Sequence, residues 1–206
     1  MKGFYYLLGL ATLLSVTSCD DTARLAKELP GTWAGTPENF TDNSAITATI
    51  IENYTIVSNP DTQQKSLRGG DILITGMISS TTQVVSNGSL IEPITLTAAA
   101  KSSIEGTWNV IDDDEVAVML KPETLKVEVD PEAIMVNTNV LSGADSPDID
   151  SLRPQVCANL SQGLSQALVI RYASVRRLDD VKIKGPILKF EIGKTDYVLT
   201  RQGDSN

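Results

Sequence analysis

The chain has 206 residues, 41% of them hydrophobic, and a formal net charge of −9. This length suits one domain of ordinary size or a larger single β-barrel. Such an acidic chain is a poor candidate for nucleic-acid binding, because phosphate contacts need clustered Lys and Arg. The chain contains no histidine, which excludes Ser-His and Cys-His catalytic pairs and most zinc sites.

The N-terminus has the pattern of a secretory signal. Lys2 precedes an apolar run from Phe4 to Val16, and small residues follow that run. The run is shorter than the about 20 apolar residues that a membrane-spanning helix needs. We therefore favour a signal peptide over residues 1–18 rather than an N-terminal transmembrane anchor.

Val16-Thr17-Ser18-Cys19 resembles the bacterial lipobox, in which an aliphatic residue and two small residues precede a cysteine. The resemblance implies cleavage before Cys19, a thioether from its thiol to diacylglycerol, and acylation of the new N-terminus. Two or three acyl chains anchor a protein stably in a membrane. Cleavage would leave 188 residues with a net charge of −10, since Lys2 is the only charged residue removed. Such a surface gains nothing from anionic head groups, so the acyl chains are the expected link to the membrane.

Residues 19–28 are predicted to be a lipidated tether followed by a short helix, and residues 29–206 to be the folded domain. The acidic start after Cys19 is similar to surface-export signals of Bacteroidetes-type bacteria. Asp21-Thr22-Ala23 also resembles their O-glycosylation sites, although a helix N-cap explains these residues equally well. Leu25 and Leu29 are four residues apart on one helical face, and Pro30-Gly31 ends the helix.

From Ile46 onward the apolar period becomes two, which is typical of half-buried strands. Ile46, Ala48, Ile50, Tyr54 and Ile56 share one face of a long strand. The next strand is predicted from Ile72 to Val85, with a bend or bulge at Gly76. Asn87-Gly88 predicts a hairpin turn, a return strand from Leu90 to about Ala99, and an edge or bulge at Pro93. Gly106 to Val129 is predicted to be a three-stranded meander.

The second half contains the predicted main helix and the closing strands. Residues 130–147 are rich in turn-forming residues and are predicted to be mainly loop. From Ser151 to about Tyr172, apolar residues recur every four positions and predict a helix. Its Cys157 is predicted to be a buried, inert thiol. Three closing strands are then predicted from residues that alternate along the chain. Their shared faces are Val181 and Ile183, then Leu188, Phe190 and Ile192, and finally Tyr197, Leu199 and Arg201.

These elements predict a mainly β fold: a single antiparallel up-and-down barrel of about eight strands with one inserted α-helix. A closed barrel is favoured because it leaves no strand edge unpaired. A β-sandwich is the alternative. The chain has two Gly-Thr-Trp stretches, at Trp33 and Trp108. The second marks either an old duplication or only a second buried strand.

Gly31-Thr32-Trp33, after a short helix, resembles the opening motif of the lipocalin-like (calycin) barrels. The resemblance implies that Trp33 closes the barrel floor and that Arg201 packs over its ring. Thr195-Asp196-Tyr197 is similar to a second lipocalin motif, but one strand follows it here instead of several. The main helix also precedes the final hairpin, whereas in lipocalins it follows the barrel.

The function expected from these features is binding rather than catalysis. An eight-stranded barrel has room for one small apolar ligand, with inward residues such as Ile50, Tyr54, Leu96, Val118 and Leu125 as candidate lining. The alternative is a structural or accessory lipoprotein of the outer membrane with a solid core. No spacing of residues proposes a catalytic site or a cofactor, and no sequence feature names a protein partner.

Two charged clusters have ordinary explanations. Asp112-Asp113-Asp114-Glu115 lacks the spacing and the glycine of a calcium loop and is predicted to be a solvated turn. Arg171, Arg176 and Arg177 form either a basic spot or a complement to the helix C-terminus. No metal site is therefore predicted. The expected location is the cell envelope, with the protein lipid-anchored on the periplasmic face or the cell surface of the outer membrane.

Overall fold

The alternating segments form one antiparallel sheet with two helices. The structure, a computed structural model, describes residues 21–42, 46–59, 68–84, 94–137 and 149–203. Helix α1 covers residues 21–28 and helix α2 covers Ile149–Ala173. The strands are β1 (Gly31–Ala34), β2 (Glu38–Asp42), β3 (Ile46–Ser58), β4 (Gly69–Val84), β5 (Ile94–Val110), β6 (Val116–Leu120), β7 (Lys126–Val129), β8 (Met135–Asn137), β9 (Arg177–Lys184), β10 (Ile187–Ile192) and β11 (Thr195–Arg201).

The sheet closes on itself because β1 pairs with β11 on one side and with β3 on the other. Around the circuit the order is β1-β11-β10-β9-β6-β5-β4-β3. Strand β2 continues the path of β1 along β3, and strands β7 and β8 continue the path of β6 along β5. The result is a closed barrel of eight antiparallel strands, and the predicted fold class is confirmed.

Strand β5 differs from its prediction. It is one strand of 17 residues that pairs with β4 along its whole length, whereas two strands were predicted on either side of Lys101-Ser102-Ser103. Those polar residues do not interrupt the strand, since Ser102 faces inward and its two neighbours face outward. Pairing with β4 satisfies the backbone at this point whatever the side chains are.

The predicted three-stranded meander was also wrong. Strands β6 and β7 both pair with β5, so the chain does not reverse between them. The 3-10 turn Pro122–Thr124 only shifts the path of the chain, and a second turn at Pro131–Ala133 precedes β8. The region predicted as loop therefore contains one more strand segment before residue 138.

Of the bend or bulge predicted at Gly76, the bulge is wrong. Gly76 pairs in register with Glu52 on one side and with Ser102 on the other. Its role is to save space inside the barrel, because a Cβ at this position would overlap Ser102 Oγ and the Ile50 side chain. The predicted hairpin at Asn87-Gly88 and the predicted edge at Pro93 lie outside the described residues.

Helix α2 covers the part of the barrel wall that strands leave open. Strand β9 pairs with β6 only at Val116 and Ala117, and among the described residues no strand pairs with β7 on the side away from β5. The helix packs against β7 and β2, and Ser161 Oγ donates a hydrogen bond to the Val127 carbonyl at 2.9 Å. Leu164 and Leu168 are buried in the same core as the strands.

Candidate functional site

Trp33 of β1 is fully buried and is the centre of a cluster of contacts that joins α1 to β11. The Arg201 guanidinium carbon lies 4.1 Å from the centre of the Trp33 ring. Arg201 also donates hydrogen bonds to the carbonyls of Glu28 and of Pro30, the latter at 2.9 Å. Gly31 has a φ of +141°, and a Cβ there would overlap the Arg201 guanidinium. The Gly-x-Trp pattern thus leaves room for the arginine that joins α1 to the last strand.

The side of the barrel opposite this motif contains an apolar cleft of about 630 Å3. It lies between β5 and β6 on one side and the C-terminal end of α2 on the other. Buried apolar or aromatic side chains form much of its wall, including Ile104, Trp108, Val118, Tyr172 and Val175. The cleft lies where β9 no longer pairs with β6, since that pairing covers only Val116 and Ala117, and residues of the C-terminal end of α2 line the space instead.

The cleft mouth is formed by exposed residues. Met119 is 73% exposed and Val169 is 47% exposed, and both line the cleft. Arg176 is also exposed and is the only charged residue in the lining that the structure describes. The arrangement is thus a largely apolar groove with one cation at its opening.

The predicted ligand-lining residues fall into two groups. Val118 and Leu125 line the cleft. Ile50, Tyr54 and Leu96 are buried and pack within the protein but do not line it. The Tyr54 ring meets Phe190 edge to face at 6.0 Å, and Phe190 stacks on Tyr197 at 5.3 Å. These three rings pack against one another in the core, whereas the cleft lies beside β5, β6 and α2.

A polar network inside the barrel joins α2 to β2 and β3. Arg171 donates hydrogen bonds to both carboxylate oxygens of Glu52, at 3.1 and 2.9 Å, and to Glu38 Oε2 at 2.8 Å. Glu52 is buried, and it also accepts a hydrogen bond from the Tyr54 hydroxyl at 3.1 Å. Burial by itself would lower the pKa of Arg171, but the hydrogen bonds that Arg171 donates to Glu52 and Glu38, together with the negative charge of Glu52, outweigh it and raise the pKa.

Two buried hydroxyls adjoin this network. Ser102 Oγ and Tyr172 OH have no hydrogen-bond partner of acceptable geometry among the described residues. Burial raises the pKa of Tyr172, and the nearby negative charge of Glu52 raises it further. The ring of Tyr172 lines the cleft, so this residue stands between the cleft and the polar network.

The sequence did contain a signal for Glu52 that periodicity alone passed over. Glu52 lies between Ile50 and Tyr54 in the inward register of β3, and a carboxylate in such a register needs a partner. Arg171 is that partner, so it is not part of an exposed basic spot, and it also lies in the last turn of α2. Arg177 pairs instead with Glu115 and Asp179.

The remaining predicted residues are placed as follows. Cys19, to which lipid attachment was assigned, lies outside the described residues. Cys157 is a free thiol, half-buried beside Leu160. Asp112, Asp113 and Asp114 are exposed in the turn between β5 and β6. In the part of the chain that the structure describes, no helix is both long enough and apolar enough to cross a bilayer.

Comparison with known proteins does not assign this chain to a family, and the fold alone indicates its barrel type. No protein-family model and no curated protein sequence matches it. The closed eight-stranded barrel with a packed helix is consistent with a calycin-like fold.

Proposed function

We propose that the protein is a lipid-anchored protein of the cell envelope whose wall cleft binds a small, mainly apolar ligand. The cleft carries this proposal. Its volume of about 630 Å3 is within the range of about 300–1,000 Å3 that is usual for small-molecule sites. Its wall contains aromatic and aliphatic side chains with few polar groups, which is the common composition of such sites.

The anchor part of the proposal rests on the lipobox-like sequence. Cys19 is separated by one residue from position 21, where the described part of α1 begins. Arg201 holds the end of α1 through the carbonyls of Glu28 and Pro30. Acyl chains on Cys19 would therefore hold the Trp33 end of the barrel close to the membrane surface.

A second candidate is an accessory lipoprotein with no ligand. The packing of Tyr54, Phe190 and Tyr197 ring against ring favours it, because these side chains fill space in the core that a ligand would otherwise need. In that case the wall cleft would be only a packing gap. The two candidates differ in one measurable respect, which is saturable binding at the cleft.

The test uses soluble protein lacking residues 1–19, since all the core residues lie between Leu25 and Leu199. A polarity-sensitive fluorescent probe is titrated into wild type and into Ala173→Phe, which places a ring in the cleft. Ala158→Phe is the matched control, because Ala158 is an exposed alanine of the same helix away from the cleft. Native mass spectrometry of the same samples reports any small molecule retained from the host.

We expect saturable probe binding in wild type and in Ala158→Phe, and at least about a tenfold loss in Ala173→Phe, which corresponds to about 1.4 kcal/mol. Absent binding, or equal binding in all three proteins, would reject the cleft and favour the accessory lipoprotein. For the anchor, Cys19→Ala should abolish labelling by a radioactive fatty acid and leave unprocessed precursor. Labelling that persists would reject the lipobox interpretation.

A further inference from the structure

Arg176 differs from the other arginines near the end of α2 in having no carboxylate partner among the residues that the structure describes. Arg171 pairs with Glu52 and Glu38, and Arg177 pairs with Glu115 at 3.3 Å and with Asp179. Among the described residues Arg176 forms no ion pair, and its Nε donates only a long hydrogen bond of 3.4 Å to the Ala173 carbonyl. A cation is thus left unneutralised on a chain whose net charge is −9.

Arg176 is placed where it could contact a ligand of the cleft. It lies at the mouth of the cleft, and no aspartate or glutamate lines the cleft within the described residues. Exposed apolar side chains of Met119 and Val169 lie at the same mouth. A ligand that entered here would meet carbon surface along its length and a guanidinium at its end.

We propose that the ligand of the cleft is an anionic amphiphile with a single apolar chain, of the fatty carboxylate class, whose head group pairs with Arg176. This inference rests on the proposed function, because it assigns the ligand class of the same cleft. A guanidinium binds a carboxylate through two parallel hydrogen bonds, whereas an alcohol end forms one neutral bond at most. The apolar chain supplies affinity through burial against the cleft wall, and Arg176 supplies the preference for an anion.

The experiment compares laurate with lauryl alcohol, which have the same chain length and differ in the charge of the end group. Both are titrated as displacers of the fluorescent probe from soluble protein lacking residues 1–19, laurate below its critical micelle concentration and lauryl alcohol below its solubility limit. The variants are Arg176→Gln and Arg176→Lys. Arg177→Gln is the matched control, because Arg177 is an adjacent exposed arginine that does not line the cleft.

We expect wild type to bind laurate about tenfold more tightly than lauryl alcohol, as one charge-assisted pair at a partly exposed site predicts. In Arg176→Gln the ratio should fall to about one, because laurate binding weakens while alcohol binding stays unchanged. Arg176→Lys should retain part of the preference, and Arg177→Gln all of it. Added salt should weaken laurate binding alone, because screening acts on exposed charges.

The outcomes separate this inference from the proposed function. Equal affinity for the two ligands, unaffected by Arg176→Gln, would overturn the anion preference and leave the cleft as an apolar site. Probe binding that neither ligand displaces would likewise overturn it. Absence of probe binding would reject the proposed function and this inference together.

The same head-group chemistry is present on an anionic bilayer, so a separate arm measures sedimentation with vesicles. Vesicles of phosphatidylglycerol are compared with vesicles of phosphatidylcholine. We expect no Arg176-dependent sedimentation, since the cleft takes one chain at a time from solution. Sedimentation that depends on Arg176, without binding of free laurate, would overturn the amphiphile proposal in favour of a membrane-surface contact.

Discussion

Arg171 on α2 donates two hydrogen bonds to Glu52 on β3, from Nε to Oε1 at 3.1 Å and from Nη2 to Oε2 at 2.9 Å. These residues are 119 positions apart in the chain, and their pairing fixes the end of the helix against the barrel. Tyr172, the next residue, thereby presents its ring to the cleft. The network inside the barrel and the candidate site at its wall are therefore parts of one arrangement.

Breaking this pair should destabilise the protein strongly. Glu52→Gln would leave the mostly buried Arg171 without a full counter-charge, and removal of one partner of a buried pair costs about 3–5 kcal/mol. Glu38 remains as a second acceptor, so we expect the lower end of that range. The measurement is the free energy of unfolding in urea. Arg177→Gln, which breaks exposed ion pairs, is the control and should cost less than about 1 kcal/mol.

A double-mutant cycle refines this prediction. If Arg171→Met is combined with Glu52→Gln, the combined loss should be clearly smaller than the sum of the two single losses, because each single change already breaks the same pair. Additive losses would show that Glu52 and Arg171 stabilise the fold independently.

Substitution of Trp33 should cost more stability than substitution of other apolar residues. Trp33→Ala removes a fully buried indole and should cost about 3–5 kcal/mol, as other large-to-small core changes do. Arg201→Gln should cost less, since a cation over an indole contributes about 0.5–2 kcal/mol. Val198→Ala is the control, because Val198 is exposed and lies in β11, the strand of Arg201. A loss for Trp33→Ala no larger than this control would contradict the core role.

Substitutions at Gly76 and at Ser102 should have opposite effects on stability. Gly76→Ala inserts a methyl group against Ser102 Oγ and Ile50 and should destabilise by about 1–3 kcal/mol. Ser102→Ala removes a buried hydroxyl that has no hydrogen bond of good geometry among the described residues and should be neutral or slightly stabilising. The double variant should recover part of the loss of Gly76→Ala. A destabilisation of more than about 1 kcal/mol by Ser102→Ala would show that its hydroxyl is hydrogen-bonded in solution.

Alkaline pH should unfold the protein through its buried tyrosines. Burial raises the pKa of both Tyr54 and Tyr172 above the ordinary value of 10.0. Below pH 10 both residues are neutral in the folded and unfolded states, so they confer no pH dependence there. Above pH 10 they ionise first in the unfolded chain, and stability falls by up to about 1.4 kcal/mol per pH unit for each of them.

The matched variant for this titration is Tyr172→Phe, which should lose stability less steeply above pH 10 than wild type. In wild type, the tyrosinate absorbance of the buried tyrosines should rise only as the protein unfolds. The loss of structure is followed by circular dichroism. Full ionisation of Tyr54 and Tyr172 while the fold persists would contradict the burial-driven shift.

Local sequence patterns were sufficient for the individual elements. The alternation of Ile46, Ala48 and Ile50 predicts an inward strand face. In β3, Ala48 and Ile50 are buried and Ile46 is half-buried. The four-residue apolar spacing predicts α2, whose Leu160, Leu164 and Leu168 are buried. These patterns work because strand and helix periods are properties of the backbone, independent of what packs against them.

Element boundaries were less predictable. The polar run at Ser102 indicates a break, yet β5 passes through it, because β4 pairs with β5 along its whole length. The same cause made β7 an extension of β6, since both find their hydrogen-bond partners on the long strand β5. The end of a strand thus depends on the length of its neighbour, which no local window contains.

The sequence by itself determined the antiparallel barrel class, the position of the main helix, and the glycine–tryptophan motif with an arginine near the chain's end. Only the tertiary structure decided that α2 replaces part of the barrel wall, that Arg171 turns inward to Glu52, and that Arg176 lies beside an apolar cleft with no ion pair among the described residues. The physical reason is range. Periodicity follows from adjacent residues, whereas ion pairs and cavities depend on which distant segments the closing of the barrel brings together.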